Sequence, residues 1–195
     1  MKMILFFIIS IISVFIIISC SCPFIKVCNF NERELSWIKN IHKENKIVLR
    51  YHNNCDTIFI SAIEIDNKKT VSIFDLKSVN WLEGQNKYNA TASISFILKH
   101  NEKQYPGIFI ITKKNANPEI TVSFQLGDLY SRHIIIQDSD NKIMFIDGIN
   151  SELGINQERI GVHQVDWDKK NGINRIIYKN GESYTLLPKK IRCGL

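Results

Sequence analysis

The hydrophobic rhythm of the chain changes twice. From Met3 to Ile18 it is apolar, broken only by Ser10 and Ser13. From Asn31 to about His42 apolar residues recur at helical spacing, with Leu35, Ile38 and Ile41 on one face. Asn31 can cap that helix, and Glu34 three residues on completes a capping box. After that the period is two. Ala92, Ile94, Phe96 and Leu98 alternate with Ser93, Ser95 and Ile97, and Ile120, Val122, Phe124 and Leu126 with Thr121, Ser123 and Gln125; strict alternation is the signature of a half-buried strand. Shorter runs predict strands over 47–52, 57–66, 70–76, 107–113, 133–137, 143–147, 160–167, 174–179 and 183–187. Polar clusters at 66–69, 101–103, 115–118, 138–141 and 180–181 separate them. Asn180-Gly181 is the strongest of these signals, since the pair suits both left-handed positions of a tight hairpin turn. Many short strands with one apolar face predict a mostly β fold, an antiparallel sandwich or barrel with one short N-terminal helix. A parallel sheet would need crossover helices that the pattern does not offer.

The first apolar run carries an address. A positive start at Lys2, an apolar stretch and small residues at its end are what a secretory signal requires. Ile17-Ile18-Ser19-Cys20 sharpens this: an aliphatic residue three before a cysteine, and a small one just before it, resemble the bacterial lipobox. That resemblance implies cleavage before Cys20 and diacylation of its sulfur. One acyl chain binds a bilayer marginally, and two or three anchor almost permanently, at about 0.8 kcal/mol per buried methylene. Two alternatives stand beside it. Met3 to Cys22 offers about the 20 residues of a membrane-spanning helix, and Ser19-Cys20-Ser21 would also serve an ordinary signal peptidase. All three export the remainder of the chain. Ser21, rather than an aspartate, after the cysteine resembles the outer-membrane sorting rule of bacterial lipoproteins, and with no acidic run following, that resemblance implies an outer-membrane address facing the periplasm. The expected organisation is a signal over 1–19, a tether over 20–29 and a single β-rich domain over 30–195.

The layout as a whole, with the lipobox, a short helix containing Glu34-Leu35-Ser36-Trp37-Ile38, a series of strands and a closing hairpin over 173–186, resembles small uncharacterised lipoproteins of Bacteroidetes-type bacteria. The resemblance implies an envelope location and a β-rich domain. It brings no catalytic residues.

Charge changes this picture little. Lys and Arg number 25 against 19 Asp and Glu, a net +6 that falls by one when Lys2 is removed. In an exported chain that is an ordinary soluble surface and gives no reason to expect a nucleic-acid partner. The lysine pairs at 68–69, 113–114, 169–170 and 189–190 fall in turns or at strand ends, where they protect sheet edges. Gathered at one end of the domain, they would favour an anionic membrane. Of 5 cysteines, lipidation consumes Cys20, leaving Cys22, Cys28, Cys55 and Cys193. An oxidising compartment then implies at least one disulfide. Cys28 with Cys193 is slightly preferred because it ties the ends of the domain together; Cys55 is the competing partner. Their spacing does not suit zinc.

The search for chemistry returns simpler explanations. Histidines stand at 42, 52, 100, 133 and 163 without metal-ligand spacing, though His52 and His133 could meet across a sheet. His100, beside a turn, reads as a solvated ring. The carboxylate pairs Glu64/Asp66, Asp138/Asp140 and Asp166/Asp168 lie two residues apart and share a face or a turn. The Asp138 loop fails as a calcium site because its fifth and sixth positions are Lys142 and Ile143. Nucleophile elbows and phosphate loops are missing. Trp81 and Tyr88 flank a polar loop and read as core or rim. The sequence therefore assigns no catalytic residue, cofactor or metal. It leads to a lipid-anchored envelope protein acting as a binding or scaffolding module for an envelope protein or glycan. A barrel carrying a small apolar ligand is the alternative, and an enzyme with a dispersed site is the third reading.

Overall fold

In β5 (Ala90–His100) the predicted alternation becomes a burial pattern, every second residue from Ala90 to His100 pointing inward. A computed structural model describes residues 26–41, 46–67, 87–114, 117–137, 139–147 and 159–187. Within these, β5 is one of a series: β1 (Lys26–Val27), α1 (Glu32–Lys39), β2 (Lys46–Tyr51), β3 (Asn54–Asp66), β4 (Lys87–Tyr88), β6 (Lys103–Lys114), β7 (Asn117–Leu126), β8 (Leu129–Ile136), β9 (Lys142–Ile146), β10 (Val162–Asp168), β11 (Gly172–Tyr178) and β12 (Ser183–Leu186). The expected strand over 70–76 lies outside the described residues.

Ten strands form one antiparallel sheet in the order β8-β7-β6-β5-β3-β2-β12-β11-β10-β9, curled into a nearly closed barrel. Of sandwich and barrel, the barrel is the outcome. The order is a meander with one unusual join: the last strand, β12, pairs with β2 and stitches the two ends of the domain together. The break falls in mid-chain, where β8 and β9 approach each other without pairing. A separate two-stranded ribbon joins β1 and β4 in parallel.

The barrel is filled by aromatic rings. Phe109 and Trp167 stack with centroids 4.0 Å apart and planes 2° from parallel, and Phe124 and Phe145 stack at 4.4 Å. Phe96 lies against Phe124 and Trp167. All five are at most 1% exposed, so they border neither solvent nor a space wide enough for water. Gly107 makes this layer possible: a β-carbon there would sit 2.3 Å from the Phe96 ring. Each buried aromatic contributes on the order of 1.5–3 kcal/mol. Against that gain, the Trp167 Nε1 and Ser131 Oγ are buried with no hydrogen-bond partner, which costs.

Helix α1 closes one end of the barrel. Asn31 and Glu34 form the expected capping box, with bonds of 2.8 and 2.7 Å. Leu35, Ile38 and Ile41 are buried as the spacing predicts, and Trp37 with them. Lys113 on β6 pairs with Glu34 at 2.7 Å, Asn40 donates to the Lys169 carbonyl at 3.0 Å, and the Lys169 ammonium lies over the Trp37 ring. This is the helix end. The opposite, far end carries the turns β2–β3, β5–β6, β7–β8 and β11–β12.

Two local expectations are corrected. The β11–β12 turn is not the tight Asn-Gly form: Gly181 is left-handed, Asn180 is not, and Tyr178 and Glu182 close a three-residue loop. The Asn180 side chain accepts from the Glu182 N–H, an alternative that asparagine offers its own backbone. Strand β6 starts at Lys103 rather than Gly107, running through Pro106. That proline is tolerated because residues 103–106 pair with β5 alone, β7 having ended opposite Gly107.

Candidate functional site

The far end is built over a buried polar cluster. Strand alternation turns Asp56 of β3, His100 of β5 and Tyr178 of β11 inward, and all three are buried. His100 Nδ1 lies 2.8 and 3.0 Å from the two Asp56 oxygens, and the Tyr178 hydroxyl donates to Asp56 Oδ2 at 2.6 Å. A carboxylate only accepts, so Nδ1 carries the proton, and in the neutral ring Nε2 accepts from Asn101 Nδ2 at 2.9 Å. Tyr178 stacks on the imidazole at 4.4 Å while Tyr184 meets it edge-on. Burial, then the Asp56 charge, drive the Tyr178 hydroxyl far above its ordinary range. Burial raises Tyr184 likewise.

A carboxylate–imidazole pair can position a base, but this one is occupied. Its Nε2, the atom that would take a proton from a substrate, is held by Asn101, and its ring face is covered by Tyr178. The arrangement props the turns above it. Asn101 and Glu102 of the β5–β6 turn both have positive φ, 47° and 65°, and so does His52 of the β2–β3 turn, at 49°. Such conformations cost about 1–2 kcal/mol per residue with a β-carbon, and they persist where the surroundings over-determine them. Arg50 Nε helps by donating to the His52 carbonyl.

A second set of charges fastens the rest of this end. Asp128, in the β7–β8 turn, accepts from the N–H groups of Ile160 and Gly161 at 3.2 and 3.1 Å. Lys179 pairs with Asp147 at 2.7 Å and with Asp128 at 3.3 Å. The Asp147 bond is the main cause of the raised Lys179 pKa.

His100 corrects an expectation: it is 9% exposed, a buried partner of Asp56 and not a solvated ring. Nothing local marked it. The signal was Asp56, an acidic residue on the inward side of a strand, but its partners lie 44 and 122 residues away. His52 and His133 are not brought together on neighbouring strands, since β3, β5, β6 and β7 separate β2 from β8. Asp140 accepts from the Gln137 N–H, and Asp168 from those of Lys170 and Asn171, so both shape turns. Asp166 pairs with Arg175 on the next strand. Among the described residues no group of three or more His, Cys, Asp and Glu is placed to hold a metal.

Cys20, Cys193 and Trp81 lie outside the described residues. Cys55 is disulfide-bonded and Cys28, half-buried, is not in a disulfide, so the slightly preferred Cys28–Cys193 pairing is corrected; the partner of Cys55 lies outside the described residues. Among the described residues no helix is long and apolar enough to cross a membrane. No family model, catalogued protein or solved structure matches this chain.

Proposed function

We propose that this protein is a lipid-anchored module of the bacterial cell envelope, at the outer membrane facing the periplasm, that binds or scaffolds an envelope protein or glycan without catalysis. The observation that carries this reading is the pairing of a ring-filled interior with a braced far end. Phe96, Phe109, Phe124, Phe145 and Trp167 leave no space among them for a carried apolar ligand, so the surface is the working part. At the far end, turns with left-handed His52, Asn101 and Glu102 stand on the Asp56–His100–Tyr178 cluster. Rigid turns lose little entropy on contact, which is how a preorganised surface gains affinity. The disulfide at Cys55 fits an exported chain.

Photocrosslinking amino acids placed singly at His52 and Glu102 of the full chain, and at Phe59 on the barrel wall, test the reading in cells. The far-end positions are expected to trap one discrete macromolecule that Phe59 does not. Equal trapping at all three sites, or a small molecule retained in native mass spectra of the purified full chain, overturns it. Palmitate labelling that survives Cys20→Ser overturns the anchor.

A further inference from the structure

We infer that the helix end of the barrel is a membrane-facing surface whose lysines engage anionic lipid headgroups. This rests on the anchor reading above and deepens it. The described chain begins at Lys26, and β1 lies beside β4, three residues before Ala90, which pairs with Lys113 at the helix end. Cys20 is six residues before Lys26, a stretch that spans at most about 22 Å when fully extended. Strand β5, with 11 residues, runs about 35 Å. An acylated Cys20 therefore holds the helix end at the bilayer and leaves the far end pointing away.

The lysine pairs agree with this placement, while Arg50, Lys99, Lys103 and Arg132 are exposed toward the far end, so the leash and not the overall charge sets the orientation. Both lysine pairs within the described residues belong to the helix end: 113–114 closes β6 and 169–170 forms the β10–β11 turn. The pairs divide their work. Lys113 and Lys169 are spent on the helix, against Glu34 and Trp37, while Lys114 and Lys170 are exposed. Lys142, opposite Asp168 at the start of β9, adds a third exposed ammonium, and Arg33 of α1 is exposed as well. Among the described residues the exposed carboxylates nearby are Glu32, held by Lys39 at 2.6 Å, Glu64 and Asp66 toward the end of β3, and Glu119 near the start of β7. A leash this short lets the lysines reach the headgroups, and each one that comes within a Debye length strengthens attachment to an anionic surface about fivefold.

The test uses the full chain in vesicles of phosphatidylcholine alone, or mixed with phosphatidylglycerol, each containing a lipid with a photoreactive headgroup. Crosslinks are expected on peptides containing Lys114, Lys142 and Lys170, more of them with phosphatidylglycerol present. Joint substitution Lys114→Glu, Lys142→Glu and Lys170→Glu is expected to cut them at least tenfold, with the circular dichroism of the barrel unchanged. Crosslinks concentrated on the turns at 52–53, 101–102 or 179–181, or indifferent to phosphatidylglycerol, overturn the inference. The mass of the N-terminal peptide reports acylation separately. An unacylated Cys20 refutes the anchor, while the crosslink pattern still decides which end faces the lipid.

Discussion

Asp56 accepts from an imidazole and a phenol at once, and those hydrogen bonds explain why so polar a residue is 2% exposed. A buried carboxylate with one partner removed keeps its desolvation cost and loses its return. Tyr178→Phe is accordingly expected to destabilise the fold by about 1.5–3 kcal/mol at neutral pH. The same residue sets the alkaline limit. The hydroxyls of Tyr178 and Tyr184 and the Lys179 ammonium all have pKa values raised above their ordinary 10.0, 10.0 and 10.5. Above about pH 10 the unfolded chain has released these protons and the folded chain holds them, so stability is intact below that pH and falls above it. The slope is at most about 1.4 kcal/mol per pH unit for each buried tyrosine. Urea midpoints between pH 8 and 11.5 should show this decline, and a shallower one in Tyr178→Phe; an equal slope in both would refute the assignment.

At the scale of elements, packing between strands decides what each strand tolerates. Gly107 is small because the Phe96 ring, on the neighbouring strand, occupies the place of its side chain. Gly107→Ala is therefore expected to cost about 1–3 kcal/mol by overpacking. The cost should shrink when Phe96→Leu is added, a coupling that a double-mutant cycle in urea measures. Strict additivity would mean that the ring is not the cause. The helix shows the opposite case. Its cap and buried face were legible because capping box and helical spacing act within a dozen residues. The three-residue β11–β12 loop was not, since the Asn180 side chain chose a local bond over the left-handed conformation that Asn-Gly permits.

At the scale of the whole molecule, reach predicts the cysteine pairing. Cys55 lies at the start of β3, whereas β1 sits beyond the other end of that strand, about 35 Å away. Four extended residues from Lys26 to Cys22 span only about 14 Å. Leu187 instead donates to the Val48 carbonyl, two strands from Cys55, with six residues left to reach back from there to Cys193. Peptide mapping without reduction is expected to find Cys55–Cys193, and Cys55–Cys22 would refute the reach argument. In the chain-entropy model the closed loop stabilises by about 4–5 kcal/mol.

The amino-acid sequence by itself determined the β-rich class, the positions of most strands, the capped helix and the turn roles of Asp140 and Asp168. Those depend on alternation and on hydrogen bonds a few residues long. Tertiary structure alone decided that β12 joins β2 within one sheet, that its interior is a stack of rings, and that Asp56, His100 and Tyr178 meet. It also gathered two lysine pairs at the helix end. Each of these joins residues dozens of positions apart, and a pattern of period two says which face a side chain takes but not which strand lies opposite.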